Sequence, residues 1–518
     1  MIKKKKHKLI FLIIFILTAS CYYKKRNNLD TFIIATYDDV KDWDPATAFS
    51  LEVLPLSNIY EPLLWLDASS DDHVFYPALA VSYSKSEDGL FWTFKLRQNV
   101  LFHDGSMFDA EVVKYVVERN QSFSYGPSYI WSSVDSVIVD DRYQVTFKLS
   151  EPTPMDRVVS SQYGAWMYSK GLQKIDPESL GVGYGSGTGP YMFKKWVKNA
   201  EIRLEKFSNY WGGWETKNHF DNVKIKIVSE ASTRMQLIES GLVDYAVLLP
   251  NQLIEKIKKN KGVKVSYFPS WTNHFYLLNT KKHPTNNIWV RRAISASFDR
   301  QTINKYVYGN LSSEAAGLVP STCPLFIPPD NMPNFNLDSA KTNLDKSNLK
   351  DKSLSLDISY VSTSEEYRHT SMMLFDNLRK IGVSLKQKPG LWSINWEKAK
   401  HLDTAPNIIS MAWWPTYSSP SDWFFGLYKT EHSPMFNLSY YENSVVDSLI
   451  AVAWREESVD PGKSKKNYKK IQEILLDDCV VIPAVDLKTQ AVYRRDIKGL
   501  KPNPAYSTIL VYRLEREE

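Results

Sequence analysis

Short strand-like runs alternate with amphipathic helical segments along almost all of this 518-residue chain. The strand-like runs are rich in Val, Ile, Phe and Tyr and are bounded by Gly, Pro, Asn and Asp. The helical segments repeat apolar residues at helical spacing, as Tyr468, Ile471 and Leu475 do. The alternation predicts an α/β fold of sheet-containing lobes rather than a barrel or a helical bundle.

The predicted strands are the runs FWTFKLR, YQVTFKL, PYMFKKW, EIRLEKF, NVKIKIV, HFYLLNT, LSLDISYV and CVVIPAV. The predicted helices span residues 110–119, 231–240, 290–298, 365–380, 444–454 and 465–476. The chain is long enough for two or three domain-sized units, each with its own core.

The first twenty residues, MIKKKKHKLIFLIIFILTAS, have the pattern of a signal peptide. A lysine-rich start precedes the apolar run Leu9–Leu17, which is too short to span a bilayer. The small residues Thr18, Ala19 and Ser20 precede Cys21, which resembles a bacterial lipoprotein cleavage site, although Thr18 stands where Leu is usual. We expect residues 1–20 to be removed and a lipid on Cys21 to anchor the protein through a tether, residues 21–29. Ordinary secretion is the alternative.

The charge balance excludes a nucleic-acid partner. Of the net charge of +6, five units come from the lysines of the first twenty residues, and the remainder has 59 basic and 58 acidic residues. No basic domain is left to contact phosphates. Export makes pairing of Cys323 and Cys479 an open question, since Cys479 also fits a buried strand as a free thiol.

No motif for catalysis or for a cofactor is present. The nine His residues are scattered without metal-ligand spacing. The run GVGYGSGTGPY fits no phosphate-binding pattern and leads into a strand rather than a helix. Ser186 in this run lacks the glycines of a nucleophile elbow. We therefore expect no enzymatic activity, no metal and no cofactor.

The stretch SMAWWPTYSSPSDWFF is the densest group of aromatic residues. Aromatic side chains offer rigid contact area with a polar tip, so such a stretch suits either a core or a ligand surface. Trp413, Trp414 and Tyr417 are the candidates for ligand contact, whereas Phe424 and Phe425 fit the packed side of a following helix.

Several stretches, in order, resemble the family 5 extracellular solute-binding proteins of ABC transporters, the oligopeptide- and dipeptide-binding type. They include WDPATAFSLEVLPLSNIYEPLL, YPALAVSYSKSEDGLFWTFKLRQNVLFHDGSMFDAEVVKYVVER, GTGPYMFKKW, STRMQLIESGLVDYA and LNTKKHPTNNIWVRRAISASFDRQTINKYVYG. Each motif is weak by itself, but their order and spacing from about residue 30 to 510 are specific.

The resemblance implies a bilobal periplasmic-binding-protein-like fold (class II, the large type with an extra subdomain in lobe I). Lobe I would span residues 30–278 with the subdomain at about 77–186, lobe II residues 279–487, and residues 488–518 would return to lobe I. Two hinge crossings are implied, one near Tyr276 and Asn279 and the other near Ala484–Val492. Ligand binding would close the lobes about this hinge.

The resemblance also implies where ligand binds. In peptide-binding members a segment G-W-x-x-D-Y-x-D-P lines the cleft, and its first Asp meets the peptide α-ammonium. Ala412 to Pro420 occupies this pattern, with Trp413, Tyr417 and Pro420 matching, but Thr416 and Ser419 stand where acids are usual. Phe49, Ser50 and Tyr506 are further candidates for lining the cleft.

The missing acid leaves the ligand open. A partly buried ammonium needs a charge partner, and a hydroxyl at Thr416 does not neutralise it. Either another acid compensates, of which Asp422 is nearest in sequence, or the ligand is an oligosaccharide or another solute without a free ammonium. The expected function is capture of a solute, with peptide preferred, by a monomer that docks on an ABC permease; a ligand-sensing subunit is the alternative.

Overall fold

The computed structural model describes residues 29–69, 74–123, 125–174, 185–214, 219–349 and 354–517. The strands in chain order are β1 (Thr31–Thr36), β2 (Leu64–Asp67), β3 (Val74–Pro77), β4 (Ala80–Lys85), β5 (Phe91–Leu96), β6 (Val134–Asp141), β7 (Gln144–Leu149), β8 (Tyr191–Val197), β9 (Glu201–Lys206), β10 (Asn222–Ile227), β11 (Tyr245–Ala246), β12 (Val263–Leu278), β13 (Ser312–Glu314), β14 (Ser355–Val361), β15 (Ser384–Gly390), β16 (Ile408–Trp413), β17 (Val481–Arg494), β18 (Ile497–Lys498) and β19 (Glu515–Arg516).

The α-helices are α1 (Val53–Ile59), α2 (Ala110–Gln121), α3 (Met155–Val158), α4 (Ala231–Glu239), α5 (Asn251–Ile257), α6 (Ile288–Ala296), α7 (Arg300–Ile303), α8 (Leu337–Lys346), α9 (Glu365–Lys380), α10 (Trp392–Ala399), α11 (Pro420–Leu427), α12 (Ser444–Val459) and α13 (Pro461–Asp477). Short 3-10 turns at Gly126–Trp131, Lys170–Lys174, Gly309–Leu311 and Val511–Arg513 and a π-helical turn at Asn304–Tyr308 complete the helical structure of the described residues.

One mixed sheet runs through both lobes in the order β15-β14-β16-β12-β17-β11-β1-β10-β9-β8, with β13 paired to β17. Lobe I contributes β11, β1, β10, β9 and β8, and lobe II contributes β15, β14 and β16. The long strands β12 and β17 join the two halves. This mixed α/β architecture confirms the predicted two-lobed fold.

The two joining strands change partners along their length. In β12, residues 263–269 pair with residues 488–494 of β17, beside the lobe I strand β11. Residues 272–277 pair with residues 481–487, and residues 273–278 pair with β16 of lobe II. The register shifts between Pro269 and Thr272. The passage from one lobe to the other therefore coincides with an irregularity in the strand pairing.

A separate antiparallel sheet, in the order β4-β5-β7-β6, lies within the segment predicted as the extra subdomain. Helix α2 packs its apolar residues Val112, Val113, Val116 and Val117 into the same hydrophobic cluster as the sheet residues Phe94 and Phe147. Asp109 caps α2 by accepting a hydrogen bond from the backbone N–H of Val112 at 3.3 Å. The subdomain thus shares the core of lobe I.

The glycine-rich run GVGYGSGTGPY packs closely against the last residue of helix α1, Ile59. Residues 181–184 of this run lie outside the described part of the chain. A Cβ at Gly187 would lie 2.0 Å from the Ile59 carbonyl oxygen, and one at Gly189 would lie 2.7 Å from it. Gly189 also donates its N–H to this oxygen at 2.9 Å. The glycines are required by backbone-to-backbone packing, which agrees with the absence of a phosphate-binding pattern.

Candidate ligand-binding cleft

The loop from Trp413 to Ser419 is held at both ends. Strand β16 ends at Trp413, and helix α11 begins at Pro420. Ser419 caps α11, since its Oγ accepts a hydrogen bond from the backbone N–H of Ser421 at 2.9 Å. Pro420 at the first helical position has the backbone angle that a helix needs. The loop is therefore a defined surface of lobe II.

Asp422 lies beneath this loop and organises it. Its Oδ2 accepts hydrogen bonds from Trp413 Nε1 at 2.9 Å and from the backbone N–H of Thr416 at 3.0 Å. The Tyr129 hydroxyl of lobe I lies 3.0 Å from Asp422 Oδ1 and 2.7 Å from Thr416 Oγ1. Burial raises the pKa of Asp422 to about 6, although these donors act to lower it.

Lobe I contacts the carbonyl groups of the loop directly. Ser161 Oγ donates to the Thr416 carbonyl at 2.6 Å, and Gln162 Nε2 donates to the Pro415 carbonyl at 2.7 Å. Arg157 donates to the carbonyl of Ser418. The loop carbonyls thus accept hydrogen bonds from side chains of the segment Arg157–Gln162. The two lobes are in contact here.

An ion pair strengthens the same interface. Arg157 Nε lies 3.0 Å from Glu457 Oε2, and the Glu457 side chain is fully buried. Hydroxyl groups of Ser419 and Tyr468 donate to Glu457 Oε1. Burial raises the pKa of Glu457, and the Arg157 charge opposes this shift. Glu457 therefore has its charge partner within the protein.

Aromatic side chains from both lobes surround the loop. The Phe49 ring centre lies 5.2 Å from that of Tyr163 and 6.4 Å from that of Tyr129. The Tyr163 hydroxyl donates to the Ser50 carbonyl at 3.0 Å. Trp414 remains 39% exposed, although it belongs to the loop. These rings offer apolar contact area beside hydrogen-bonding groups, as ligand clefts do.

The predicted site residues fall into two groups. Phe49, Ser50, Trp414 and Thr416 come together at the contact between the lobes, with Tyr129 and Tyr163 between them. Trp413 and Tyr417 are buried supports, Ala412 pairs with His274 inside the sheet, and Phe424 is buried in the core.

Tyr506 supports the cleft from behind. Its hydroxyl donates to the Ser160 carbonyl at 2.8 Å and accepts from the backbone N–H of Leu66 at 3.0 Å. Ser160 belongs to the lobe I segment that contacts the loop. Tyr506 is buried and therefore holds this segment in place.

Tyr276 and Asn279, the predicted hinge residues, lie on the lobe II side of the register shift, although Tyr276 is within the predicted bounds of lobe I, residues 30–278. Tyr276 is buried in β12, opposite Ser410 and Ile482, and Asn279 follows the end of that strand. The register shift between Pro269 and Thr272 lies closer to the passage between the lobes. The hinge position stays a prediction. For the first crossing we propose Pro269–Thr272 instead, and the facing Leu487–Lys488 lies within the predicted return crossing, Ala484–Val492.

The sequence did not point to the lobe I residues of the cleft. Tyr129 lies in a 3-10 turn and Arg157 in the four-residue helix α3. Ser161, Gln162 and Tyr163 lie in an irregular segment, and none of these segments is long enough to show a periodic pattern. The polar run SSQ, residues 160–162, lies one residue after helix α3 and was an available signal, because polar residues next to buried apolar ones need partners.

The remaining expectations concern the cysteines, metal ligands and membrane attachment. Cys323 and Cys479 are both buried and free. Within the described ranges, no group of three or more metal-ligand side chains occurs. No helix in the described part of the chain is both long and apolar enough to cross a membrane. The expected signal peptide and lipid site, residues 1–20 and Cys21, lie outside the described residues.

Two lobes joined by two strands, with polar and aromatic side chains meeting between them, form the architecture of a ligand-binding protein. Residues 74–434 match the model of the bacterial extracellular solute-binding proteins, family 5 Middle. Because this match covers more than half of the chain, the protein belongs to that family. It is an exported solute-binding protein and not an enzyme.

Curated relatives and solved structures agree with this assignment. The chain is 26% identical to the probable D,D-dipeptide-binding periplasmic protein DdpA of Escherichia coli K12, over 82% of each chain. It is 24% identical to the glutathione-binding protein GsiB of Salmonella paratyphi A, over 92% of this chain and 93% of GsiB. The fold superimposes on the dipeptide-binding protein of Pseudoalteromonas sp. SM9913 in complex with Met-Leu. The TM-score is 0.83 at 20% identity, over 94% of this chain and all of that one.

Proposed function

We propose that this protein captures short peptides in the cleft between its lobes and delivers them to an ABC permease. The observation that carries the proposal is the loop Pro415–Ser418, whose carbonyl groups are presented to lobe I and accept hydrogen bonds there. When the lobes open, these acceptors become available to the backbone of an extended ligand, as in strand addition. Phe49, Tyr163 and Trp414 supply apolar contacts for its side chains. The dipeptide and glutathione ligands of related proteins agree with this size and chemistry.

A neutral solute such as an oligosaccharide is the second candidate. Asp422, the acid nearest to Thr416, already accepts hydrogen bonds from Trp413, Thr416 and Tyr129. A ligand that carries no ammonium would need no further acid on the lobe II side of the cleft.

Native mass spectrometry of the protein purified from its expressing cells tests the two candidates, with denaturing release of whatever co-purifies. A ladder of peptide masses supports the peptide function. A single carbohydrate or another neutral mass overturns it in favour of that solute. Loss of peptide uptake on deletion of the gene separates delivery to an importer from a purely sensory role, in which uptake is retained.

We further propose that the lipid on Cys21 retains the protein at the membrane. A Cys21→Ala variant is expected to move from the membrane fraction to the soluble fraction of fractionated cells, because the acyl chains supply the membrane affinity. Cys323→Ala is the control, since Cys323 is buried, and it should remain with the membranes. Unchanged partitioning of Cys21→Ala would contradict lipid anchoring.

A further inference from the structure

Glu52 is a buried acid with an unused hydrogen-bond acceptor. The residue is 3% exposed and immediately precedes helix α1. Its Oε1 accepts a hydrogen bond from the backbone N–H of Lys41 at 2.9 Å. Its Oε2 is buried, and no donor within the described residues reaches it. A buried carboxylate oxygen without a partner is costly, so Glu52 Oε2 is a candidate to accept a hydrogen bond from a ligand.

Glu52 adjoins the lobe I side of the cleft. It follows Phe49 and Ser50, and the Ser50 carbonyl accepts a hydrogen bond from Tyr163. Burial raises the pKa of Tyr163, a hydrogen bond with Trp414 acts against this shift, and the Glu52 charge adds to it. The Glu52 carboxylate is thus close enough to influence the residue at which lobe I meets Trp414 of lobe II.

The other acids of the cleft are already paired. Asp422 accepts from three donors. Glu457 Oε1 accepts from two hydroxyl groups. Glu457 Oε2 has no hydrogen-bond donor among the described residues, but Arg157 Nε lies 3.0 Å from it and pairs its charge. Asp486 also has a buried oxygen, Oδ1, without a donor among the described residues. However, Asp486 lies opposite Asn273 in the sheet, and Asn273 donates to the Leu318 carbonyl. Asp486 itself accepts from the backbone N–H of Ser321. It therefore faces the segment around Leu318–Ser321 and not the cleft.

We propose that Glu52 Oε2 binds the α-ammonium of a peptide ligand, so that lobe I rather than the lobe II loop recognises the free amino end. The assignment rests on the proposed peptide function. It explains how the cleft accepts a charged amino end although Thr416 carries no charge. An ammonium donates charge-assisted hydrogen bonds to a carboxylate, and both groups gain from pairing in a site from which water is excluded.

The test is a competition between free and blocked amino ends. A synthetic library of tri- to pentapeptides without Lys is prepared with free amino ends and again with N-acetylated ends. The two forms are mixed equally and offered to the full-length protein, and mass spectrometry gives the ratio of free to acetylated peptides in the captured fraction. We expect the wild-type protein to favour free amino ends at least tenfold, and Glu52→Gln to lose about tenfold to a hundredfold of this preference.

Two further variants make the result specific. Asp486→Asn removes a buried acid with a spare oxygen elsewhere, and it is expected to keep the wild-type preference. Glu52→Asp keeps the charge and is expected to retain part of the preference for free amino ends. This variant keeps the proposal testable if Glu52→Gln folds poorly. Thermal unfolding of each variant shows that it is folded.

The outcomes distinguish the two proposals. Peptide capture with the same preference in wild type and Glu52→Gln overturns the role of Glu52 and leaves the peptide function standing. Equal capture of free and acetylated peptides by the wild-type protein also overturns the role of Glu52 and leaves the peptide function standing. Capture of no peptide from either half of the library overturns the peptide function and the Glu52 assignment together.

Discussion

The two walls of the cleft use their carboxylates differently. On the lobe II wall, Asp422 accepts hydrogen bonds from Trp413, from the Thr416 backbone and from Tyr129. On the lobe I wall, Glu52 accepts one hydrogen bond, from Lys41, and keeps a second oxygen free of donors within the described residues. A carboxylate with its acceptors filled shapes the protein's own loop, whereas one with a spare acceptor is available to a ligand. Four variants test this difference, starting with the largest expected effect.

Replacing Asp422 with Ala should lower the free energy of unfolding by about 3–5 kcal/mol, because buried donors of Trp413 and Thr416 lose their acceptor. Urea denaturation followed by Trp fluorescence measures the change. Asp376→Ala, at an exposed ion pair with Arg379 on α9, is the matched control and should cost less than about 0.5 kcal/mol. A loss below about 1 kcal/mol for Asp422→Ala would show that Asp422 does not organise the loop.

Asp486 has a carboxylate oxygen without a donor among the described residues, as Glu52 does, but it lies outside the cleft. Its ionisation should make the free energy of unfolding depend on pH. Burial raises its pKa from 3.8 to about 7. Between these values the folded protein holds a proton that the unfolded chain has released, so the free energy of unfolding falls as pH rises from about 4 to about 7. Asp486→Asn should weaken this pH dependence by about 2–3 kcal/mol between pH 4.5 and 7.5, measured by urea denaturation. An identical pH profile in the variant would contradict the raised pKa.

Arg157 tests whether closure depends on the pairing between the walls. Arg157→Met leaves Glu457 without its charge partner, and opening of the lobes relieves this by admitting water. We expect closure of the ligand-free protein to weaken by about 1–2 kcal/mol, seen as a larger radius of gyration in small-angle X-ray scattering. The control is Arg455→Met, which removes the exposed pair of Arg455 with Glu151 at 3.9 Å and should leave the scattering unchanged. Equal curves for wild type and Arg157→Met would exclude this pair as a determinant of closure.

Glu52→Gln should have the smallest effect on stability. The amide oxygen of Gln keeps the hydrogen bond from Lys41, so the free energy of unfolding is expected to change by less than about 1 kcal/mol. The same urea denaturation measures it. A small stability change combined with a large change in ligand preference is what distinguishes a ligand-binding acid from a structural one. A loss as large as that of Asp422→Ala would place Glu52 among the structural acids.

Local patterns predicted six helices and eight strands that the structure contains. The helix predicted at residues 365–380 has the same bounds in the structure, because Ser364 caps it, Glu365 and Glu366 follow the cap, and Arg379 and Lys380 end it. The helix predicted at 465–476 begins earlier, at Pro461, because Asp460 serves as its cap. These signals lie within one or two turns of the residues that they determine.

Strand length was less predictable. The run HFYLLNT predicted a short strand, whereas β12 extends from Val263 to Leu278 and includes Pro269. The extension exists because β17 pairs with β12 on both sides of the register shift. Pro269 disfavours the interior of a strand although Phe268 favours one, so pairing with a distant segment decides it.

By itself, the sequence determined the α/β class, the types of the six helices and eight strands predicted from it, and the family, through motifs in order, because these depend on local periodicity and on turn residues. The tertiary structure alone decided which hydrogen-bond acceptors of these acids are filled. Asp422 is the acid nearest to Thr416 in the sequence, yet its acceptors are filled, in part by Tyr129, which is 293 residues away. Glu52 keeps an oxygen because no donor of the described chain folds against it. Hydrogen-bond partners and burial depend on segments far apart in the sequence, and they decide whether a carboxylate supports a loop or binds a ligand.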